Sequence, residues 1–116
     1  KNSKKDSTIV SLIADMNKLI KDRDNRPFLD ELNYQVGFLH EKNDSLKQAI
    51  AYYNSSLRAK NAGDKQKTYT YEKLGNIYFK QDAYQKASSY YDSVLQVTND
   101  TLDIRIRRIK RTSTIF

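Results

Sequence analysis

The chain has 116 residues, of which 38% are hydrophobic and 30% are charged, a size and composition typical of one folded domain. It has no cysteine and one histidine, which excludes a disulfide framework and argues against a histidine-rich metal site or a Ser-His-Asp triad. Three glycines and one proline are too few for a β-fold rich in tight turns, and no apolar run is long enough to cross a membrane.

The formal net charge of +7 is unevenly distributed. Residues 1–26 carry seven basic and four acidic side chains, residues 27–100 carry nine of each, and residues 101–116 carry five and one. The C-terminal excess indicates either a solvated helix face or a surface for an acidic partner. Because the sequence lacks nucleic-acid-binding signatures, nucleic acid is the less favoured kind of acidic partner. This basic patch consists of Arg105, Arg107, Arg108, Lys110 and Arg111.

Apolar residues at spacings of three and four predict a series of helices. The first runs from about Ser7 to Asp22, and Asp6 or Ser7 caps its start. The second begins at Pro27, because proline suits the first turn of a helix. Polar breaks at residues 43–44, 61–64 and 98–100 then separate predicted helices over residues 27–42, 45–60, 65–80, 83–97 and 101–111.

The chain contains an internal repeat. A shift of 38 residues aligns Gly37 with Gly75 and Ala49 with Ala87, and it aligns the string AIAYYNSSL with ASSYYDSVL. A period of this length with two helices in each unit is typical of stacked helical repeats.

The repeated residues follow the tetratricopeptide (TPR) signature W-x2-L-G-x2-Y followed by A-x3-F. The second unit matches it from Tyr71 onward, whereas Asn33 and His40 replace the expected aromatics in the first. The chain thus resembles the TPR family. The resemblance implies an all-α fold, an α-solenoid of two full repeats (27–60 and 65–97) with flanking helices (7–22 and 101–111) in one domain. The signature residues are Gly37, Ala49, Tyr53, Leu74, Gly75, Tyr78, Ala87 and Tyr91.

In such a solenoid the first helix of each unit lines a concave groove, which suits a protein or peptide partner. A carboxylate-clamp role is not expected, because Glu72 stands where that TPR subclass has a lysine. No catalytic constellation appears, so we predict no enzyme, small-molecule substrate, cofactor or metal. The predicted groove residues are Tyr34, Gln35, Phe38, Glu41, Lys42, Tyr69, Glu72, Lys73, Asn76 and Lys80.

The remaining aromatic residues have structural interpretations. His40 takes the place of a signature tyrosine, so we assign it to packing or partial exposure. Tyr71 and Tyr84 are expected to pack like the signature tyrosines, whereas Tyr52 and Tyr90 are expected to face outward.

A more specific resemblance rests on the stretches KLIKDRDNRPFLDELNYQVG, KNAGDKQKTYTYEKLGNIYF and DAYQKASSYYDSVL, followed by an arginine-rich helix. These are similar to the periplasmic TPR lipoprotein of the Bacteroidetes gliding-motility and type IX secretion machinery, the SprE/PorW type. The resemblance implies an assembly factor or adaptor in the periplasm or cell envelope. Its membrane anchor, a lipidated cysteine, would lie outside this chain, which begins at Lys1 without methionine and is expected to belong to a longer protein.

Two alternatives remain open from the sequence: a cytoplasmic TPR adaptor or regulatory module, and a nucleic-acid-binding module that uses the basic patch. The envelope resemblance also implies O-glycosylation at Asp-Ser or Asp-Thr pairs followed by a small or aliphatic residue. Such pairs also begin helices, which leaves this modification open. The four matches begin at Asp6, Asp44, Asp92 and Asp100.

Overall fold

A computed structural model of the chain describes residues 7–112, and within them every regular element is helical. The all-α prediction is therefore confirmed for these residues. A 3-10 segment separates the first two of the five α-helices. The elements are α1 (Ser7–Lys21), the 3-10 segment (Arg23–Phe28), α2 (Leu29–Lys42), α3 (Leu46–Arg58), α4 (Asp64–Lys80) and α5 (Tyr84–Thr112).

The break between α1 and α2 is built around Asp22. Its carboxylate accepts a hydrogen bond from the backbone N–H of Asp24 at 3.0 Å, which caps the start of the 3-10 segment. The second helix was predicted to begin at about Pro27; this proline lies inside the 3-10 segment, and α2 begins two residues later, at Leu29. Proline has no N–H to donate and a fixed φ, and both properties suit the 3-10 segment as well as an α-helical first turn.

Helices α2 and α3 form one hairpin, and α4 and α5 form a second with the same turn. Asp44 and Asp82, at equivalent repeat positions, both adopt the left-handed conformation, with φ of 58° and 63°. Each turn is a Schellman motif, in which the N–H of the next residue donates to a carbonyl in the last turn of the preceding helix. These bonds join Ser45 to His40 at 2.8 Å and Ala83 to Tyr78 at 2.9 Å.

Each hairpin closes where a glycine of its first helix meets a tyrosine ring of its second. A Cβ added at Gly37 would lie 2.7 Å from Tyr53 Cδ1, and one added at Gly75 would lie 2.6 Å from Tyr91 Cε1. Side chains do not approach this closely, so only glycine lets the rings take these positions. This contact accounts for a mid-helix residue that otherwise costs about 1 kcal/mol relative to alanine.

The two hairpins pack on each other through α3 and α4. The core between them contains Ala49 and Tyr53 from α3 and Leu74 and Ile77 from α4, all 2% exposed or less. Burial of apolar surface of this kind contributes about 25 cal/mol per Å² to stability. The hydrophobic stripes of α3 and α4 therefore hold the two hairpins together.

A buried polar cluster accompanies this core. Ser56 Oγ donates to the backbone carbonyl of Asp30 at 2.7 Å and lies 3.3 Å from Thr70 Oγ1. The carboxylate of Asp30 accepts from the backbone N–H of Gly63 at 3.3 Å, which ties α2 to the loop before α4. These bonds satisfy polar groups that would be costly to bury alone.

Helix α1 covers the other side of the first hairpin and packs on α2. Its one buried residue is Ile13, and Tyr52 on α3 donates to Asn17 Oδ1 at 3.1 Å. The described helices thus follow one another in space as they do along the chain.

The last helix is longer than predicted. The prediction of a turn at residues 98–100 and of a separate sixth helix is wrong, because α5 runs without interruption from Tyr84 to Thr112. Threonine, asparagine and aspartate at these positions each cost only a few tenths of a kcal/mol in a helix, and no glycine or proline stands there to end it. The backbone of the basic patch therefore lies in the last turns of α5.

Candidate functional site

The predicted groove residues lie on α2 and α4, which contact each other across the two hairpins. The rings of Tyr34 on α2 and Tyr69 on α4 have centroids 6.4 Å apart. One turn further along α2, the ring of Phe38 has Lys73 Nζ of α4 at 4.8 Å and Lys42 Nζ of α2 at 5.4 Å from its centroid. We call this surface the α2/α4 groove; it comprises Tyr34, Phe38, Glu41, Lys42, Tyr69, Glu72 and Lys73.

The α2/α4 groove combines aromatic rings with charges of both signs. Burial raises the pKa of Tyr34, and the nearby Glu41 and Glu72 carboxylates, followed by Tyr69, raise it further. Tyr34 therefore stays protonated at neutral pH and is available as a hydrogen-bond donor. The lysines over Phe38 make cation–π contacts worth about 0.5–1 kcal/mol each at exposed sites.

The predicted groove residues differ in exposure. Tyr34, Phe38, Glu41 and Lys73 are half-buried, so their positions are fixed by packing. Tyr69 is 44% exposed and presents the most accessible ring of the groove. The other predicted residues, all exposed, are Gln35, Lys42, Glu72, Asn76 and Lys80.

Glu41 of the α2/α4 groove and Asn76, which was also predicted to line the groove, each accept a hydrogen bond from the second helix of their own hairpin. Tyr53 Oη donates to Glu41 Oε1 at 2.7 Å, and Tyr91 Oη donates to Asn76 Oδ1 at 2.7 Å. Sequence reasoning assigned both tyrosines to packing alone. The signal for a second role was the residue type itself, because the repeat signature has phenylalanine there and a buried tyrosine hydroxyl requires a partner. The two tyrosines thus position groove side chains from behind.

Several other aromatic residues differ from the sequence interpretation. Tyr52 and Tyr90, expected to face outward, instead stack on His40 and Tyr78 with centroids 5.3 and 5.6 Å apart. His40 is half-buried in this stack, which confirms its packing role. Tyr84, expected to pack, is 56% exposed. A 38-residue shift relates the two stacked pairs, so the ring pairing is part of the repeat.

No group of three or more histidine, aspartate or glutamate side chains is placed to hold a metal ion among the residues searched. None of the described helices is long and apolar enough to cross a membrane. The side chains of the basic patch lie outside the described set, which ends for side chains at residue 99.

No protein-family model matches the chain, and a search of curated proteins finds no significant relative. The function of the chain is therefore inferred from its 38-residue repeat and from the geometry of the α2/α4 groove.

Proposed function

We propose that the chain is a TPR-type α-solenoid that serves as a protein-interaction scaffold. The 38-residue sequence period, the two equivalent Schellman turns and the two equivalent glycine–tyrosine contacts support the repeat assignment. The elongated shape agrees with it. The radius of gyration is 17.4 Å, above the radius of gyration of about 13 Å typical of a compact domain of this size, and the extents are 63 × 39 × 21 Å.

One observation carries the scaffold function: two helices from different hairpins place aromatic rings and lysines on one accessible surface. Phe38 lies within 5.4 Å of the ammonium groups of Lys42 and Lys73, beside the Tyr34–Tyr69 pair. Aromatic residues are enriched where proteins bind one another, because they give a large contact area at low entropic cost. Such a surface with mixed charges suits a peptide segment better than a small molecule.

The proposed ligand is a protein segment that places an apolar side chain against Tyr69 and Phe38. Its flanking carboxylates would pair with Lys42 and Lys73, whereas Glu41 and Glu72 would disfavour a run of acidic residues alone. The Tyr34 hydroxyl supplies a hydrogen-bond donor for the backbone of the segment.

The test is affinity capture with crosslinking. The 116-residue chain, carrying a photoreactive group at Gln35, is used as bait against separate envelope and cytosolic extracts of its source, and crosslinked peptides are mapped. Each captured segment is then synthesised and its affinity is measured for the parent chain and for the Phe38→Ala/Tyr69→Ala variant. We expect a loss of at least about tenfold, because removing a central aromatic contact typically costs 1–2 kcal/mol or more.

The control is Phe28→Ala, which removes an exposed aromatic ring from the 3-10 segment, outside the α2/α4 groove. This variant should bind like the parent chain. Unchanged affinity in the Phe38→Ala/Tyr69→Ala variant, with native circular dichroism, would contradict the groove.

We further propose that the scaffold works in the cell envelope, as an assembly factor or adaptor of the type IX secretion and gliding machinery. The resemblance of residues 18–37, 60–79 and 82–95 to that lipoprotein type supports this placement. Capture of outer-membrane or secretion-machine proteins would support it. Capture of cytosolic proteins alone would favour the cytoplasmic adaptor. Capture of nucleic acid that is lost at high salt and in the Arg105→Glu/Arg107→Glu/Arg108→Glu variant would favour the basic-patch alternative.

A further inference from the structure

One helix face of the second hairpin lacks the cover that its equivalent has in the first. On α3, Tyr53 is fully buried and Leu57 packs against the same core, because α4 lies over both. The equivalent residues on α5 are Tyr91, which is half-buried, and Leu95, which is 58% exposed. The repeat therefore places on α5 a surface that, in the first hairpin, receives another helix.

The end of this surface is aromatic. Phe79 on α4 is 55% exposed and packs edge-on against Tyr84, with ring centroids 5.3 Å apart. These two rings line one shallow cleft with Ser88 and Tyr91. We call the whole surface the α5 face; it comprises Phe79, Tyr84, Ser88, Tyr91 and Leu95.

Helix α5 extends well past its own hairpin. It has 29 residues and α4 has 17, so its last twelve residues, from about position 101, exceed the length of the helix with which it forms the hairpin. This extension of about twelve residues is about 18 Å long, and an isolated helix of that length is marginal in water. Spacings of four and three, which begin at Tyr84, continue along it through positions 98, 102, 105 and 109. The apolar Leu102 and Ile109 occupy two of these positions.

We propose that the α5 face binds the α5 extension of a second copy of this chain, and that the two α5 helices pair antiparallel about a two-fold axis between residues 96 and 97. The positions of the stripe are symmetric about that point. Tyr84 then lies opposite Ile109 of the second copy, Tyr91 opposite Leu102, and Leu95 opposite Thr98. Each copy contributes one half of the stripe with Tyr84 and Tyr91 and one half with Leu102 and Ile109, and Ser88 then lies opposite Arg105 of the second copy.

Charge selects this orientation over the parallel one. Residues 101–116 carry five basic side chains and one acidic side chain, and parallel pairing would bring two such segments together. Antiparallel pairing separates them by most of the helix length. It also aligns Arg111 of one copy with Asp82 of the other. Isologous two-fold pairing is the commonest form of homo-oligomer, which agrees with a helix that is complementary to itself.

The first test is the molar mass of the 116-residue chain, measured by light scattering and sedimentation from about 1 to about 200 μM. We expect a reversible dimer with twice the 13.6 kDa of one chain. The Leu95→Glu variant should dissociate at a concentration at least about tenfold higher, because it places a charge in the pairing surface. The control is Leu12→Glu on α1, which changes a comparably exposed leucine outside the α5 face and should dimerise like the parent.

The second test determines the register and direction of the helix pairing by disulfide crosslinking. Because the chain has no native cysteine, only the introduced cysteines can form disulfides. Chains with Ser88→Cys, mixed with chains with Arg105→Cys, should form a disulfide between the two kinds of chain and little within each kind. Circular dichroism confirms that each variant is folded. A monomer up to the highest concentration would overturn the proposal, as would a dimer unaffected by Leu95→Glu. Crosslinking between Arg105→Cys chains alone would do the same, since it indicates parallel pairing. Pairing of the monomer with an acidic peptide helix, or with a further repeat, would assign the surface to another occupant.

Discussion

At the scale of single residues, Tyr53 connects the core between the hairpins with the α2/α4 groove. Its ring is fully buried between the hairpins, and its hydroxyl donates to the Glu41 carboxylate at 2.7 Å. Burial raises the pKa of Tyr53 far above its ordinary value, and the hydrogen bond to Glu41 and the charge of that carboxylate raise it further. Ionisation of Tyr53 would place two negative charges side by side in a region with little water.

This shift predicts a loss of stability at alkaline pH. The folded-state pKa lies above the unfolded value of about 10, so above pH 10 the unfolded chain releases a proton that the folded chain keeps. The contribution of Tyr53 to the free energy of unfolding should therefore be constant below about pH 9. It should fall as the pH rises through about 10 and beyond. Tyr53→Phe should cost about 1 kcal/mol at pH 7, since it removes one hydrogen bond, and should show a shallower alkaline decline.

Urea unfolding from pH 7 to pH 11 measures this effect. Tyr69→Phe is the control, because that ring is 44% exposed and makes no comparable buried hydrogen bond in the structure. Equal alkaline slopes for the parent chain and Tyr53→Phe would show that Tyr53 does not govern the decline.

The two glycine–tyrosine contacts should respond differently to an added methyl group. At Gly37 the methyl would meet the immobile Tyr53 ring at 2.7 Å and the backbone oxygen of Ala49 at 3.2 Å. At Gly75 the nearest atoms all belong to the Tyr91 ring, which is half-buried where the Tyr53 ring is fully buried. We expect Gly37→Ala to destabilise the chain by about 1–3 kcal/mol through overpacking. Gly75→Ala should lie within about 1 kcal/mol of the parent, because the gain in helix propensity offsets the clash.

Thermal and urea unfolding of the two variants provide the comparison, and each variant is the control for the other. Equal losses of stability would mean that the Tyr91 ring is held as firmly as the Tyr53 ring.

At the scale of elements, the two Schellman turns each hold an aspartate in a conformation that favours glycine. Asp44 and Asp82 have φ of 58° and 63°, where a side chain costs about 1 kcal/mol. Asp44→Gly and Asp82→Gly should each raise the free energy of unfolding by about 0.5–1 kcal/mol. The gain should be smaller at Asp82, because its carboxylate also accepts from Tyr84 Oη at 2.9 Å.

Alanine at the same positions is expected to lower the stability of the chain, whereas glycine is expected to raise it. Asp44→Ala keeps a Cβ and loses the polar side chain that makes aspartate tolerable in this region, so it should lower the melting temperature. Differential scanning calorimetry of the glycine and alanine variants tests the pair. A rise in melting temperature with both substitutions would rule out backbone conformation as the cause.

The element boundaries show what sequence periodicity can predict. The ends of α2, α3 and α4 fall within two residues of the prediction, because the glycine, asparagine and aspartate breaks are local signals. The two-residue shift at the start of α2 and the turn wrongly predicted within α5 arise where residue types permit more than one backbone conformation. Pro27 suits a 3-10 turn as well as an α-helix, and Thr98, Asn99 and Asp100 are tolerated inside a helix.

At the scale of the whole molecule, the sequence predicted which helix faces form the candidate site but not how its side chains meet. Helical spacing placed Tyr34, Phe38, Tyr69 and Lys73 on the first helices of the two units. The approach of Lys73 to Phe38 depends on how one hairpin sits on the other, which no residue spacing encodes. The Tyr53–Glu41 bond likewise depends on side-chain rotamers.

The order of helix contacts also determines how the chain folds. Among the described elements, each helix packs on its neighbours in the chain. The contacts between helices further apart in the chain are those of α2 with α4 and the Tyr52–Asn17 hydrogen bond between α3 and α1. Contacts between nearby segments cost little loop-closure entropy, so chains of this kind reach the native state in microseconds to milliseconds. Local opening is then expected to begin at α1, which buries one residue, Ile13.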